Sequence, residues 1–246
     1  KDQNQTIIEA MEKEDYDLIG FSVYIWNIEK IKEIIKAYSQ KAMILLGGPE
    51  ASYRPDLLYF DNRIAYIIKN EGEEAFNELI EYLNMKRKLS EVSNLYYKEN
   101  NKIHYTYDRL PNLENIKHDL ALIKDFKNRI FYLEASRGCP FRCSYCLSSL
   151  DDKVRFFSLD KVKEEILFAL KNKVKSVKFL DRTFNLKQEK MREIVEFIRE
   201  NDNNLTTFQF EIVGDLLDEE TIKTLQTVRR GQIRFEVGIQ STNPIV

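Results

Sequence analysis

The chain has 246 residues, the length of one or two domains. Apolar residues make up 43% and charged residues 32%, which fits a folded globular protein and excludes a disordered one. A net charge of −2 gives no electrostatic footprint for nucleic acid, and no apolar run reaches the roughly 18 residues of a membrane span.

The first half alternates short apolar runs with amphipathic segments. A helix is expected near Thr6 to Met11. Residues 17–25 read as a buried strand, followed by Ile28, Ile31, Ile34, Ile35 and Tyr38 at helical spacing. Residues 42–46 form a second strand ending at Gly47-Gly48-Pro49, and a short helix follows near 56–60. Residues 64–68 form a third strand. Residues 73–83 form a helix with Phe76, Leu79, Ile80 and Leu83 inward. This order predicts a parallel sheet covered on both faces. Residues 92–98 and 102–107 flank Glu99-Asn100-Asn101 as a hairpin. Residues 109–128, with Pro111 and mixed charge, read as a linker between two domains.

The second half alternates again. Strands are expected at 130–135, 177–180, 207–212 and 233–239. The helices between them are expected at 159–170, 188–199 and 218–228. No internal repeat or low-complexity stretch interrupts them. The N-terminal Lys1-Asp2-Gln3-Asn4 carries neither an initiator Met nor the pattern of a signal peptide. A sheet that opens on a helix lacks its first strand, and Asn243-Pro244-Ile245-Val246 gives no helix end. A piece of a longer protein, truncated at both ends, is the expectation.

The chain has three cysteines, Cys139, Cys143 and Cys146, all within eight residues. A disulfide framework wants an even, dispersed set. Clustered thiols point instead to a metal in a reducing compartment, and so to a cytoplasmic protein. The spacing C-x3-C-x2-C, just past the end of a strand, lets one loop wrap one metal centre. A four-iron cluster usually has four cysteine ligands; with three, one iron stays open to an exogenous ligand, as metal catalysis requires. Structural zinc is the alternative, but the two histidines, His104 and His118, lie upstream and away from finger spacing.

In this setting the string Cys139-Pro140-Phe141-Arg142-Cys143-Ser144-Tyr145-Cys146 resembles the radical S-adenosylmethionine (SAM) superfamily. The resemblance implies a partial (βα) TIM-like barrel. It also implies a 4Fe-4S cluster on Cys139, Cys143 and Cys146, and SAM on the open iron. One electron would then cleave SAM to methionine and a 5′-deoxyadenosyl radical that activates a C–H bond. Other strings are similar to the same family. Phe179-Leu180-Asp181-Arg182-Thr183-Phe184 would bring Asp181 to the SAM amino group. Phe210-Glu211-Ile212 would bring Glu211 to its ribose or methionyl part. Residues 236–241 would place Glu236 and Gln240 along the pocket, and Tyr145 would lie near adenine. Each string also has a plain reading: Asp181 as a helix cap, Glu211 as a surface strand residue, Gln240-Ser241 as a loop. Arg137 and Arg142 read equally as partners of bound charge or as solvated loop residues.

Gly20-Phe21-Ser22, Gly47-Gly48-Pro49 and Glu71-Gly72-Glu73, in this order before such a domain, resemble the cobalamin-binding Rossmann-like domain of one large radical SAM class. Within that class, Phe21-Ser22-Val23-Tyr24-Ile25-Trp26-Asn27 and Gly47-Gly48-Pro49-Glu50-Ala51-Ser52 resemble an uncharacterised bacterial branch. The resemblance implies cobalamin as a further cofactor, with Ser22, Gly47 and Gly48 along its nucleotide tail. That position agrees with ligand binding at the carboxyl ends of parallel strands. A tight turn at Gly47-Gly48 and a helix N-terminus favoured by Glu73 and Glu74 are the plain alternatives. The D-x-H-x-x-G string that supplies a cobalt ligand in many such domains is absent.

The expectation is an α/β chain. A Rossmann-like cobalamin-binding-type domain with its hairpin would cover 1–108, a linker 109–128, and the first four strands of the barrel 129–246. A radical SAM enzyme would follow, for cobalamin-dependent methyl transfer or rearrangement of a small-molecule or peptide substrate. Its electron donor would be a flavodoxin or ferredoxin. A non-catalytic iron-sulfur or corrinoid sensor is the second reading.

Overall fold

The computed structural model describes residues 3–118, 120–122, 125–126, 129–150, 153–239 and 241–243. The chain divides into two units, one up to Asn112 and one from Leu113.

The first unit runs α1 (Gln3–Met11), β1 (Leu18–Ser22), α2 (Ile28–Ala37), β2 (Met43–Gly47), α3 (Pro49–Ser52), β3 (Ile64–Ile68), α4 (Glu73–Leu83), β4 (Leu95–Glu99) and β5 (Lys102–Tyr105). The sheet order is β1-β2-β3-β4-β5. The first three strands are parallel, and the hairpin adds two antiparallel strands to the same sheet, Ile67 opposite Tyr96 and Tyr97 opposite His104. One face buries Ile44, Leu46, Ile64 and Ile67 under Ile28, Ile31 and Ile35 of α2. The other buries Leu45 and Ile68 under Ala75 and Leu79 of α4. The expected two-sided cover is therefore present. Residues 49–52 are an additional helical turn, opened by Pro49 at a position that suits its fixed φ. On α4 the buried positions are Ala75, Glu78 and Leu79, while Phe76 is exposed.

Glu78 is a buried carboxylate and needs partners. It accepts the Ser93 N–H at 2.9 Å, the Ser93 hydroxyl at 2.8 Å and the Arg109 guanidinium at 2.6 Å. Burial pushes its pKa up, but these three donors outweigh that and hold it below the usual value. Asn94, at φ 55°, pins Arg109 from both sides of its backbone at 2.7 Å. Arg109 thus closes the first unit, while Leu113 and Ile116 already lie in the core of the second.

The second unit runs β6 (Ile130–Leu133), β7 (Ser136–Arg137), β8 (Arg155–Phe156), α5 (Leu159–Lys171), β9 (Ser176–Phe179), α6 (Gln188–Glu200), β10 (Thr207–Ile212), α7 (Glu219–Leu225) and β11 (Ile233–Val237). The four main strands are parallel in the order β6-β9-β10-β11, the chain order itself. Phe131, Leu133, Val177, Phe179, Phe208 and Phe210 pack with Ile166 of α5 and Met191, Ile194 and Ile198 of α6 in one core. Alternation along a strand puts Tyr132, Lys178, Gln209, Glu211 and Glu236 on the opposite face. Helices cover one face, and the other presents polar side chains, as the inner wall of a partial barrel does. On α7, Ile222 is exposed and Thr221 takes the buried position. Among the described residues no helix is long and apolar enough to cross a membrane.

Candidate functional site

The cysteine loop leaves β7, a two-residue strand paired with β8. Gly138 follows at φ +94°, where a Cβ would stand 2.3 Å from the Lys153 carbonyl oxygen. Glycine is required twice there, by the left-handed backbone and by the close approach. Cys139 and Cys143 are partly buried, and Cys146 is exposed. The Cys146 N–H closes a turn on the Cys143 carbonyl at 3.0 Å. Tyr145 lies beside Cys143, whose charge and hydrogen bond push the phenol's pKa up.

Among the described residues no three His, Cys, Asp or Glu side chains converge as a single ion would need. Zinc requires donors about 2.0–2.3 Å from one point. Three thiolates within eight residues of one loop are the donor type an iron-sulfur group takes. Both histidines are committed elsewhere: His104 stacks on Tyr97, and His118 Nδ1 lies 2.7 Å from Glu165 Oε1. The donor set therefore fits iron and sulfur and lacks a histidine for zinc.

Arg137 is tied to Glu134 at 2.8 Å and lies over the Phe157 ring, so its charge is neutralised within the fold. The turn after β9 is built on two core phenylalanines, Phe179 and Phe184, which pack on each other and on Phe210. Between them Asp181 and Thr183 point inward, 2% and 4% exposed. Asp181 accepts the Ala135 N–H at 2.9 Å and the Ser136 hydroxyl at 2.5 Å. Burial raises its pKa to about 6, and the two hydrogen bonds only partly offset that. Asn185, the next polar residue, holds both the N–H and the carbonyl of Val213 at the end of β10. Asp181 is thus neither a cap of α6 nor a group on the polar face: its carboxylate serves the strand that leads into the cysteine loop.

Glu211 and Glu236 stand directly opposite each other on β10 and β11. Like charges so placed repel, and Lys178 of β9 resolves this, with Nζ 3.4 Å from Glu211 and 3.0 Å from Glu236. The Lys178 ammonium holds Glu236 below the usual carboxylate range. Gln209 also bonds Glu236. The structure therefore brings two of the expected SAM-facing residues together, and adds Lys178 and Gln209. Strand alternation is the signal that could have found both. Gln240 lies outside the described residues.

In the first unit a cleft of about 290 Å3 opens at the carboxyl ends of β1, β2 and β3. Ser22, Gly47 and Gly48 line it, with Gly20, Asn70 and Phe76. Among the described residues, no atom beyond Gly20 and its chain neighbours lies within 4 Å of a Cβ built there. Gly48, at φ +95°, would set a Cβ 2.8 Å from the Val23 carbonyl oxygen. Ser52 ties the loops together, donating to Gly48 O at 2.9 Å and accepting the Asn70 N–H at 2.9 Å. Bare backbone beside open space admits a ligand closely, so the cleft fits a slender ligand arm. Phe76 belongs to this cleft and not to the core; helical periodicity alone could not distinguish the two.

Comparison with known proteins agrees with this architecture. Residues 1–80 match the family model of the B12 binding domain, and residues 133–246 match that of the radical SAM superfamily. The two matches place a B12-binding-type domain ahead of a radical SAM domain in this chain. It is 26% identical over 254 aligned positions to the "Uncharacterized methyltransferase PH0819" of Pyrococcus horikoshii, covering 97% of this chain and 54% of that protein. Among solved structures, the cobalamin-dependent SAM radical enzyme OxsB, with aqua-cobalamin and SAM bound, aligns with a TM-score of 0.78 at 20% identity, covering 97% of this chain and 37% of that one. The radical SAM methyltransferase TsrM from Kitasatospora setae aligns at 0.77 and 17% identity, covering all of this chain and 52% of that one. The chain thus spans about half the length of the curated relative, and the structural likenesses establish the fold.

Proposed function

We propose that this chain provides the SAM-cleaving and corrinoid-binding core of a radical SAM enzyme, and that the enzyme carries out cobalamin-dependent methyl transfer or rearrangement. The observation that carries the reading is the loop of Cys139, Cys143 and Cys146, placed after the first strand of a parallel sheet whose polar face is open. The three thiolates would hold a 4Fe-4S cluster. Bound there, the cluster supplies the one electron that splits SAM into methionine and a 5′-deoxyadenosyl radical. The protein's part is to hold, orient and exclude water. Glu211 and Glu236 share one ammonium, Lys178. The group therefore keeps one net negative charge, which suits a ligand carrying a sulfonium and an amine. Glu211, Glu236 and Gln240 are assigned to that ligand, and Tyr145 to its adenine side. Ser22, Gly47 and Gly48 are assigned to the corrinoid's nucleotide arm, in agreement with the cleft they line.

The free thiols favour a reducing cytoplasm, and the reaction calls for a low-potential donor of the flavodoxin or ferredoxin kind. The test is anaerobic iron-sulfur reconstitution, EPR of the reduced protein with and without SAM, and assay of 5′-deoxyadenosine. A 4Fe-4S signal that changes with SAM is expected, together with its loss when the three cysteines are replaced by alanine. A cluster indifferent to SAM, or retention of zinc in its place, refutes the reading.

A further inference from the structure

The Asp181–Thr183 turn meets the start of the cysteine loop at three points. Asp181 bonds Ala135 and Ser136, and the Thr183 hydroxyl lies 3.8 Å from Cys139 Sγ. Thr183 is 4% exposed. A buried hydroxyl without a partner is costly, so almost all have one. For this hydroxyl, among the described residues, the hydrogen-bond partner is the cysteine sulfur. A valine of the same shape would pack there without that cost, so the hydroxyl calls for a polar reason. A thiolate bound to iron is an acceptor only, which leaves Thr183 as the donor. Outer hydrogen bonds to ligating sulfurs tune the metal they hold.

We propose that Thr183 is a positioning residue that donates a hydrogen bond to the Cys139 thiolate and raises the reduction potential of the iron-sulfur group held there, with Asp181 fixing the strand that carries this cysteine. The proposal rests on the radical SAM reading and deepens it. A hydrogen bond to the sulfur stabilises the extra negative charge of the reduced group. Removing it therefore disfavours reduction.

The experiment is an EPR-monitored redox titration of the anaerobically reconstituted full chain, as wild type, Thr183→Val and Thr183→Ser, with dithionite as reductant. The hydroxyl-free variant is expected to hold the same iron per chain, with its reduction equilibrium shifted roughly tenfold toward the oxidised form. For a one-electron couple that is about 59 mV more negative. Thr183→Ser is expected to keep the wild-type value, which a merely space-filling role of Thr183 would not require. Should Thr183→Val fail to fold by circular dichroism, Thr183→Ala removes the hydroxyl without a branched side chain and gives the same comparison. Equal potentials in wild type and the hydroxyl-free variant, or a serine variant that shifts as far as valine, overturns the proposal while leaving the cluster reading intact. A wild-type chain that assembles no cluster overturns both.

Discussion

Asp181 allows a pH prediction with a worked sign. Its carboxyl is buried, and burial lifts its pKa from 3.8 to about 6. The folded protein therefore holds the proton more tightly than the unfolded chain does. Its protonation supports the fold in full below about pH 3.8, and that support is lost as the pH rises toward 6. At about 1.4 kcal/mol for each pH unit between the two values, keeping the group ionised at neutral pH costs the second unit roughly 3 kcal/mol. Asp181→Asn removes the titration and leaves one carbonyl oxygen for the Ala135 N–H and the Ser136 hydroxyl, at a pH-independent cost of about 1 kcal/mol. The variant should be less stable than wild type near pH 4 and more stable by about 2 kcal/mol near pH 7. The assay is urea unfolding of the metal-free, reduced chain across this range. The single tryptophan, Trp26, lies in the first unit, so its fluorescence marks that transition and circular dichroism follows the other. Parallel stability curves for the two proteins would refute the reasoning, because the carboxyl would then titrate alike in both states.

Other outcomes follow from the same geometry. Gly20→Val adds its side chain to open space in the cleft. Stability should hold or rise by about 0.5–1 kcal/mol, while corrinoid affinity, measured by spectral titration, falls roughly five- to a hundredfold, since overpacking costs about 1–3 kcal/mol. Unchanged affinity would remove the cleft from the site. Gly138→Ala meets the Lys153 carbonyl and a φ of +94°; a loss of about 1–3 kcal/mol and less iron per chain after reconstitution are expected, with the first unit's unfolding unaltered. Glu78→Gln should cost about 1–3 kcal/mol at pH 7. Because the pKa of Glu78 is depressed in the fold, that gap should close as the pH falls below about 4.5, and a gap that persists in acid would contradict the ion pair with Arg109.

Much of this fold is legible in the sequence because periodicity reports burial directly. The four main strands of the second unit alternate faces, and their phenylalanines mark the covered side. The cysteine loop is legible for a different reason: three thiols in eight residues have few physical uses. The misreadings fall where two structural demands give the same local signal. Phe76 sits at core spacing on α4 yet lines the cleft, because a helix presents one apolar face both to a sheet and to a pocket at the sheet's end. The hairpin at 95–105 is legible as a hairpin, but its pairing with β3 in the same sheet is not, since strand pairing is long-range.

Asp181 shows why polar residues are the hardest to place. Short polar side chains in a turn favour capping, and a resemblance carries such a residue toward a ligand. Neither reading contains Ala135 or Ser136, which lie 45 or more residues away along the chain. What decides the role of Asp181 is the pair of phenylalanines on either side, Phe179 and Phe184. They sink the turn into the core and leave the carboxylate no solvent to face. A buried carboxylate must then find donors within reach, and the nearest are the backbone and hydroxyl of the strand entering the cysteine loop. Asp181 and Thr183 share one turn with one geometry. A substitution that moves the turn should therefore disturb Cys139 even when it leaves every proposed ligand-facing side chain in place.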